Sequence, residues 1–297
     1  MNAAAQFTLT DRDLAIIDMA FIYGGCSISH LQTRFFPTPG SRSPCYTRIA
    51  KLVEAELLAS RRLPSQTGVG SGPLFLTVGS TARPLLANLL GCSQSELRRQ
   101  SRMHAPAPLY HHLATCDFRL SLDLACERSK VITGVEWTPE WELRRRPIRV
   151  EDNQAGTTIV LIADGLFRLM LGDGSEQAFL VEIDMGTMTD LKRLRSKLRG
   201  YLLAAKTEPV PILFVTTTKA RQEHLVHLAA GEGQRLKADT TIFWFTTQGA
   251  VTPESILSAP IWHVVGGPER MRLTGINGKP TATPATSQLV LAEGVHT

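Results

Sequence analysis

The first ninety residues contain short helical segments followed by a strand, a flexible tip and a second strand, and this order restricts the fold more than any other feature. Thr10 and Asp13 have the spacing of a capping box, which predicts a first helix over residues 11–23. Two glycines end that helix. Ser27 is placed to cap a second helix, and Pro37 marks its end.

A third helix follows, and its two sides differ in character. Ser43 and Pro44 match an N-cap and a first helical position, so the helix is predicted to begin there. The residues predicted to face the core are Tyr46, Ile49, Leu52 and Val53. The residues predicted to face outward are Arg42, Thr47, Arg48 and Lys51.

The segment after the third helix has the pattern of a β-hairpin. Residues 59–64 form a basic strand, 65–72 a Gly- and Ser-rich tip, and 73–80 a returning strand, with a helix over 81–90 after them. Three helices and a hairpin predict a winged helix-turn-helix that binds double-stranded DNA. The predicted DNA contacts are Arg42, Thr47, Arg48 and Lys51 on the third helix and Arg61 and Arg62 on the hairpin. The alternative is a winged helix that binds protein.

The charge distribution favours the DNA interpretation. Residues 1–110 hold 11 Lys and Arg against 6 Asp and Glu, whereas residues 111–297 hold 21 of each. The whole excess of positive charge therefore lies in the N-terminal third, where a phosphate-binding surface would need it.

Composition excludes several other classes of protein. Hydrophobic residues make up 43% and charged residues 20%, as in globular domains. No apolar run is long enough for a transmembrane helix and the N-terminus lacks the pattern of a secretory signal, so we expect a cytoplasmic bacterial protein without a membrane partner. The five cysteines include no C-x-x-C pair, so we expect buried free thiols and no zinc.

The domain boundary is predicted in a connector. Residues 1–90 form the DNA-binding domain, 91–108 a linker with two prolines, 109–265 a second domain, and 266–297 a Gly-, Thr- and Pro-rich tail. In the second domain, helices and strands are predicted in the order α-β-β-β-α-β, followed by α-β. One strand is predicted to run from 157 to 171, with a kink at Asp164. The four tryptophans are predicted to pack in the core or against the sheet.

Two carboxylates lie within one otherwise apolar strand. Glu182 and Asp184 are two residues apart and so share a face, and Asp164 belongs to the neighbouring strand. Unpaired buried charge is costly, whereas converging carboxylates suit a hard cation such as Mg²⁺. Lys197, on the next helix with Tyr201, is placed to stabilise a phosphate. The alternative is that basic residues of that helix simply pair with these acids.

Several segments together resemble the replication-relaxation family of bacterial plasmids and integrated mobile elements. They include RIAKLVEAELLASRR, LYHHLATCDFRLSL, LIADGLF, FLVEIDMGT, KLRGYL, PILFVTTTKAR and PIWHV. The resemblance extends from about Leu9 to His263. It implies winged-helix DNA binding and a role in plasmid replication, relaxation, transfer or transcription control.

The second domain is also similar to the PD-(D/E)XK nuclease fold. That similarity implies that Asp164 and Glu182 are the two acids of the motif, but Ala163 replaces the usual Pro and Asp184 stands where the Lys should be. Lys197 would then substitute from the helix. Two functions follow: a non-catalytic DNA-binding protein, which as a homodimer would read paired half-sites, or a Mg²⁺-dependent endonuclease that uses Asp164, Glu182, Asp184 and Lys197.

Overall fold

A computed structural model describes residues 8–66, 68–90, 106–267 and 270–274. The fold is mixed α+β, with helices and several sheets. The chain divides into two compact units, Met1–Leu120 (unit 1) and Ser121–Thr297 (unit 2). Within the described ranges, no helix has both the length and the apolar character needed to cross a membrane.

Unit 1 combines helices with a three-stranded antiparallel sheet in the order β1-β3-β2. The predicted capping box at Thr10 and the predicted cap at Ser27 are both confirmed. The elements are α1 Asp11–Ile22, β1 Cys26–Ser27, α2 Ile28–Phe35, α3 Arg42–Glu54, β2 Leu58–Arg62, β3 Leu74–Val78, α4 Ala82–Leu90 and the first part of α5, Pro106–Arg128.

The start of α3 differs from the prediction. The N-cap position is Ser41 rather than Ser43, and no side chain caps the helix. Instead, the Ser41 hydroxyl donates to the carbonyl oxygens of Phe36 and Thr38, at 2.5 and 2.6 Å. Pro44 therefore lies within the first turn, where its missing N–H costs no helical hydrogen bond.

The long helix α5 belongs to both units. Leu109 and Leu113 pack with Leu63 and Phe75 in a buried cluster of unit 1, and the division between the units falls after Leu120. The start of the predicted second domain thus packs in unit 1, because its apolar residues complete that core. Residues 91–105 of the predicted linker lie outside the described residues.

Unit 2 is built on a seven-stranded sheet with the order β12-β11-β10-β9-β8-β7-β4. Strands β8, β9 and β10 are parallel, and the other neighbouring pairs are antiparallel. The elements are β4 Ile132–Pro139, α6 Glu140–Leu143, β5 Ile148–Asp152, β6 Thr157–Leu161, β7 Gly165–Leu171, β8 Glu176–Asp184, α7 Leu191–Ala204, β9 Ile212–Thr216, α8 Lys219–Leu236, β10 Phe243–Thr247, β11 Trp262–Val264 and β12 Arg270–Met271. A 3₁₀ turn, Gln248–Ala250, follows β10.

Residues 140–164 leave the large sheet and return to the place where they left it. Pro139 at the end of β4 is the register partner of Gly165 at the start of β7. Between them, α6 is followed by β5 and β6, which pair in a separate two-stranded sheet. The single strand predicted over 157–171 is therefore wrong. The chain bends before β7, where the Asp164 N–H donates to the carbonyl oxygen of Val181 at 2.9 Å.

The helices α7 and α8 provide the main apolar cover of one sheet face in unit 2. Leu180 of β8 lies in one buried cluster with Leu198 of α7 and Leu225 of α8. Glu182 lies two residues beyond Leu180 and so faces the same helices. The opposite face carries an aromatic row in which Phe167 stacks on Phe179, with ring centroids 5.0 Å apart.

Three smaller predictions have mixed outcomes. The four described cysteines are buried free thiols, as expected. The start of the tail does more than predicted, because Arg270 and Met271 add strand β12 to the sheet. Trp244 and Trp262 are buried as predicted, but Trp141 is 40% exposed.

Candidate nucleic-acid interface and carboxylate site

One face of α3 is free of the core of unit 1. Cys45, Ile49 and Leu52 are buried at the spacing of successive helical turns. The opposite face is exposed and carries the side chains that we define as the α3 face: Arg42, Tyr46, Thr47 and Lys51. Three of these four were predicted as DNA contacts, and all lie on the first three turns of one helix.

Arg48 has another role than predicted. Its Nε donates to Oδ1 of Asp13 at 2.7 Å, its Nη2 contacts Oδ2 of the same carboxylate, and Nη2 also donates to the Thr8 carbonyl oxygen at 3.0 Å. The Asp13 side chain is fully buried. Arg48 therefore ties α3 to α1 instead of projecting from the outer side of α3.

The electrostatics of Asp13 follow from its donors. Burial by itself would raise the pKa of this carboxyl, but hydrogen bonds from Arg48 and from the backbone and hydroxyl of Thr10 lower the pKa to about 2. Asp13 is therefore ionised throughout the neutral range. A charged pair at this place fixes the orientation of α3 against α1.

Tyr46 was predicted to face the core and is 41% exposed instead. The Arg42 guanidinium lies over its ring, 5.7 Å from the centroid. On the hairpin, Arg61 is half-buried, whereas Arg62 is exposed and donates to the Gly72 carbonyl oxygen at 3.1 Å. Arg62 thus braces the base of the hairpin, with part of its guanidinium left open to solvent.

The second site lies in unit 2 around Glu182; we call Asp164, Glu182, Asp184, Lys197 and Tyr201 the carboxylate site. Glu182 is 2% exposed and sits on β8 between β7 and β9. Its Oε2 accepts from Lys197 Nζ and its Oε1 accepts from the Tyr201 hydroxyl. Both donors are on α7, one turn apart, so the helix presents them together to the strand.

Effects of opposite sign set the pKa of Glu182. Burial raises it, the Lys197 cation lowers it, and the Asp164 anion raises it again, with a result of about 7. Burial and the neighbouring carboxylates also raise the pKa of the Tyr201 hydroxyl well above its usual range. Tyr201 therefore stays protonated and donates, whereas Glu182 changes its charge near neutral pH.

The other two carboxylates have partners of their own. Oδ2 of Asp164 accepts from the Ile183 N–H at 2.7 Å. Asp184 accepts from Arg221, with Nε at 2.5 Å from Oδ2 and Nη2 at 3.2 Å from Oδ1. Arg221 lies in the first turn of α8, whose start follows β9 directly.

These contacts decide how well the predicted Mg²⁺ ligands fit an ion. The described residues include no group of three or more His, Cys, Asp or Glu side chains that would hold a metal. Glu182 already uses both oxygens, and the charge of Asp184 is matched by Arg221. The three carboxylates as arranged therefore do not fit a Mg²⁺ site. The structure instead brings the side chains of Asp164, Glu182 and Lys197 close to one another, and the Tyr201 hydroxyl donates to Glu182.

The sequence model of the replication-relaxation family matches residues 25–209. The chain belongs to the replication-relaxation family. No curated protein and no solved structure matches it. Membership in the replication-relaxation family associates the chain with replication or relaxation. The matched segment runs from just before β1 to beyond α7, so it includes the α3 face and the whole carboxylate site.

Sequence reasoning missed two residues at these sites. Arg221 lies beyond the segment matched to the replication-relaxation family, and 37 residues separate it from Asp184. Its position in the first turn after a buried strand was the only available signal. Asp13 was recognised as a cap but not as the partner of Arg48. An acid one helical turn before the buried Ile16 and Ile17 lies on the buried side of α1, where it requires a cation or donors.

Proposed function

We propose that the chain is a DNA-binding protein of a plasmid or other mobile element and that unit 1 is its winged helix-turn-helix. In this proposal α3 enters the major groove and the β2–β3 hairpin lies over the phosphate backbone. The observation that carries it is the α3 face, where Arg42, Thr47 and Lys51 are exposed opposite the buried side of the helix.

The contacts divide into different roles. Lys51 supplies a flexible positive charge for a phosphate, and Arg42 at the helix start is placed for a phosphate or a base edge. Tyr46 offers an apolar ring and a hydroxyl beside them. Arg48 acts indirectly, because its pair with Asp13 holds α3 in place.

The experiment is a salt titration of duplex binding. We expect Arg42→Gln with Lys51→Gln to weaken duplex binding and to lower the slope of log affinity against log salt by about two, since each lost phosphate contact removes about 0.9. The matched control is Lys206→Gln with Lys237→Gln, two exposed cations of unit 2. Equal slopes for both double variants would remove the α3 face from the proposal.

One observation favours a second candidate, DNA cleavage by unit 2. Lys197 contacts Glu182 beside Asp164, which is the set of side chains that the nuclease resemblance requires. Cleavage with a metal would require Asp184 to leave Arg221 and Glu182 to exchange its donors. The test is nicking of supercoiled DNA with Mg²⁺ or Mn²⁺: cleavage that Glu182→Gln abolishes would support this candidate, and binding without cleavage in either metal would reject it.

A further inference from the structure

A group of arginines on unit 2 lies outside both sites described above. Residues 140–149 contain four arginines against two glutamates, although residues 111–297 as a whole are balanced in charge. All four are exposed. We define the Trp141 surface as Trp141, Arg144, Arg145, Arg146 and Arg149.

The backbone of this segment is held by apolar anchors. Leu143 and Ile148, on either side of the three consecutive arginines, pack against the buried cluster under α7. The arginines between them must then face solvent, because the inward positions are taken. The surface is thus fixed in place by the core.

Few of these positive charges form ion pairs within the described residues. Arg144 donates to Glu140 at 2.5 Å. The ion pairs of the described residues include none for Arg145, Arg146 or Arg149. Arg145 lies over the Trp141 ring, 5.2 Å from its centroid, while Trp141 stays 40% exposed. An indole and a guanidinium therefore lie together at the surface, surrounded by positive charge.

We propose that the Trp141 surface binds single-stranded DNA. Arginines neutralise phosphates and their planar groups stack on bases, and an exposed aromatic ring provides a platform for an unpaired base. In a duplex the faces of the bases are covered by their neighbours in the stack, so a stacking platform is of use only to unpaired bases. This proposal concerns unit 2 alone and does not depend on the α3 face.

The Trp141 surface lies close to one residue of the carboxylate site. Helix α6 follows Pro139 directly, and Pro139 is paired with Gly165, the residue after Asp164. The Trp141 surface therefore begins beside the strand end next to Asp164.

The test compares single-stranded and duplex probes on the full chain. The probes are a fluorescein-labelled oligo-dT of about 16 nucleotides, the upper end of site sizes for one binding fold, and a duplex of equal length. Trp141→Ala should weaken oligo-dT binding about tenfold and leave duplex binding unchanged. Trp141→Phe, which retains a ring, should restore most of the affinity.

The arginines are tested by the salt slope. Arg145→Gln with Arg146→Gln should lower the slope for oligo-dT by about 1.4, since each phosphate contact with a single strand contributes about 0.7. Lys206→Gln with Lys237→Gln is the control of equal charge and should not lower it. Equal losses for oligo-dT and duplex, or no loss for oligo-dT, would overturn the proposal. The Arg42 and Lys51 variants keep the two proposals separable, because they should affect the duplex alone.

Discussion

Asp13 in unit 1 and Glu182 in unit 2 are both buried carboxylates that contact a cation from a helix, and the two acids end with opposite shifts in pKa. Asp13 in unit 1 has a pKa of about 2, whereas Glu182 in unit 2 has a pKa of about 7. Asp13 accepts from two guanidinium nitrogens and from both the backbone and the hydroxyl of Thr10. Glu182 accepts from one ammonium and one neutral hydroxyl, and Asp164 lies nearby.

The difference shows that burial alone does not decide the charge of an acid. The number of donors and the sign of the next charge decide whether desolvation is offset. In a structural pair such as Asp13–Arg48 the donors offset the cost of desolvation fully, and the acid keeps one charge state. The carboxylate site does not, so it retains a proton that can move near neutral pH.

The largest effect is expected for the Asp13 pair. Arg48→Ala leaves the buried Asp13 charge without its cation and should lower the free energy of unfolding of unit 1 by about 3 kcal/mol. Because all four tryptophans lie in unit 2, unit 1 is best followed by hydrogen exchange of α1 and α3. Lys51→Ala, on the exposed side of α3, should change the free energy of unfolding of unit 1 by less than about 0.5 kcal/mol. Equal effects of both variants would show that Arg48 is not a structural partner.

The next effect is a pH dependence in unit 2. The folded pKa of Glu182, about 7, exceeds its ordinary value of 4.5, so the folded state binds this proton more tightly than the unfolded chain. The resulting stability is fully present below pH 4.5 and is lost as the pH rises through about 7. We expect the free energy of unfolding to fall by about 2 kcal/mol between about pH 5 and about pH 8. Denaturant unfolding monitored by tryptophan fluorescence at the two pH values measures this fall. Glu182→Gln should remove this dependence on pH. If the variant loses as much stability as the parent when the pH is raised, the dependence does not come from Glu182.

A smaller change sharpens the role of the neutral donor. Tyr201→Phe removes the hydroxyl that donates to Glu182 and should cost about 1 kcal/mol at neutral pH. It should also raise the pKa of Glu182 further, because a donor to the charged form is lost. Carboxyl NMR titration measures this shift, with Tyr110→Phe, a tyrosine of unit 1, as the control. A lower pKa in Tyr201→Phe would show that the hydroxyl does not stabilise the anion.

The smallest effect is expected where neither partner is buried. Arg144 and Glu140 form an exposed pair one turn apart. Glu140→Gln should change the stability of unit 2 by about 0.3 kcal/mol, because water screens such pairs. Denaturant unfolding followed by tryptophan fluorescence tests this, and a loss above about 1 kcal/mol would mean that exposure does not separate this pair from the buried ones.

The sequence predicted local features better than it predicted contacts between residues that are distant in sequence. The caps at Thr10 and Ser27 depend on neighbouring residues and were found. On the inward side of α3, Ile49 and Leu52 were assigned correctly, but Tyr46 was assigned in place of Cys45, and the partner of Arg48 on α1 was not recognised. The contact of Lys197 with Glu182 followed from strand and helix spacing, whereas Arg221 could not be found because its approach to Asp184 depends on the order of strands in the sheet.

The return of the chain to its starting point at Pro139 and Gly165 has an evolutionary consequence. A change of length within residues 140–163 would leave the register of β4 and β7 unaltered, because Pro139 and Gly165 are already paired, provided that the residues packed under α7, such as Leu143 and Ile148, are kept. The exposed arginines of this segment can therefore be replaced while the sheet and the carboxylate site stay as they are. Ligand preference in unit 2 is free to diverge faster than its architecture.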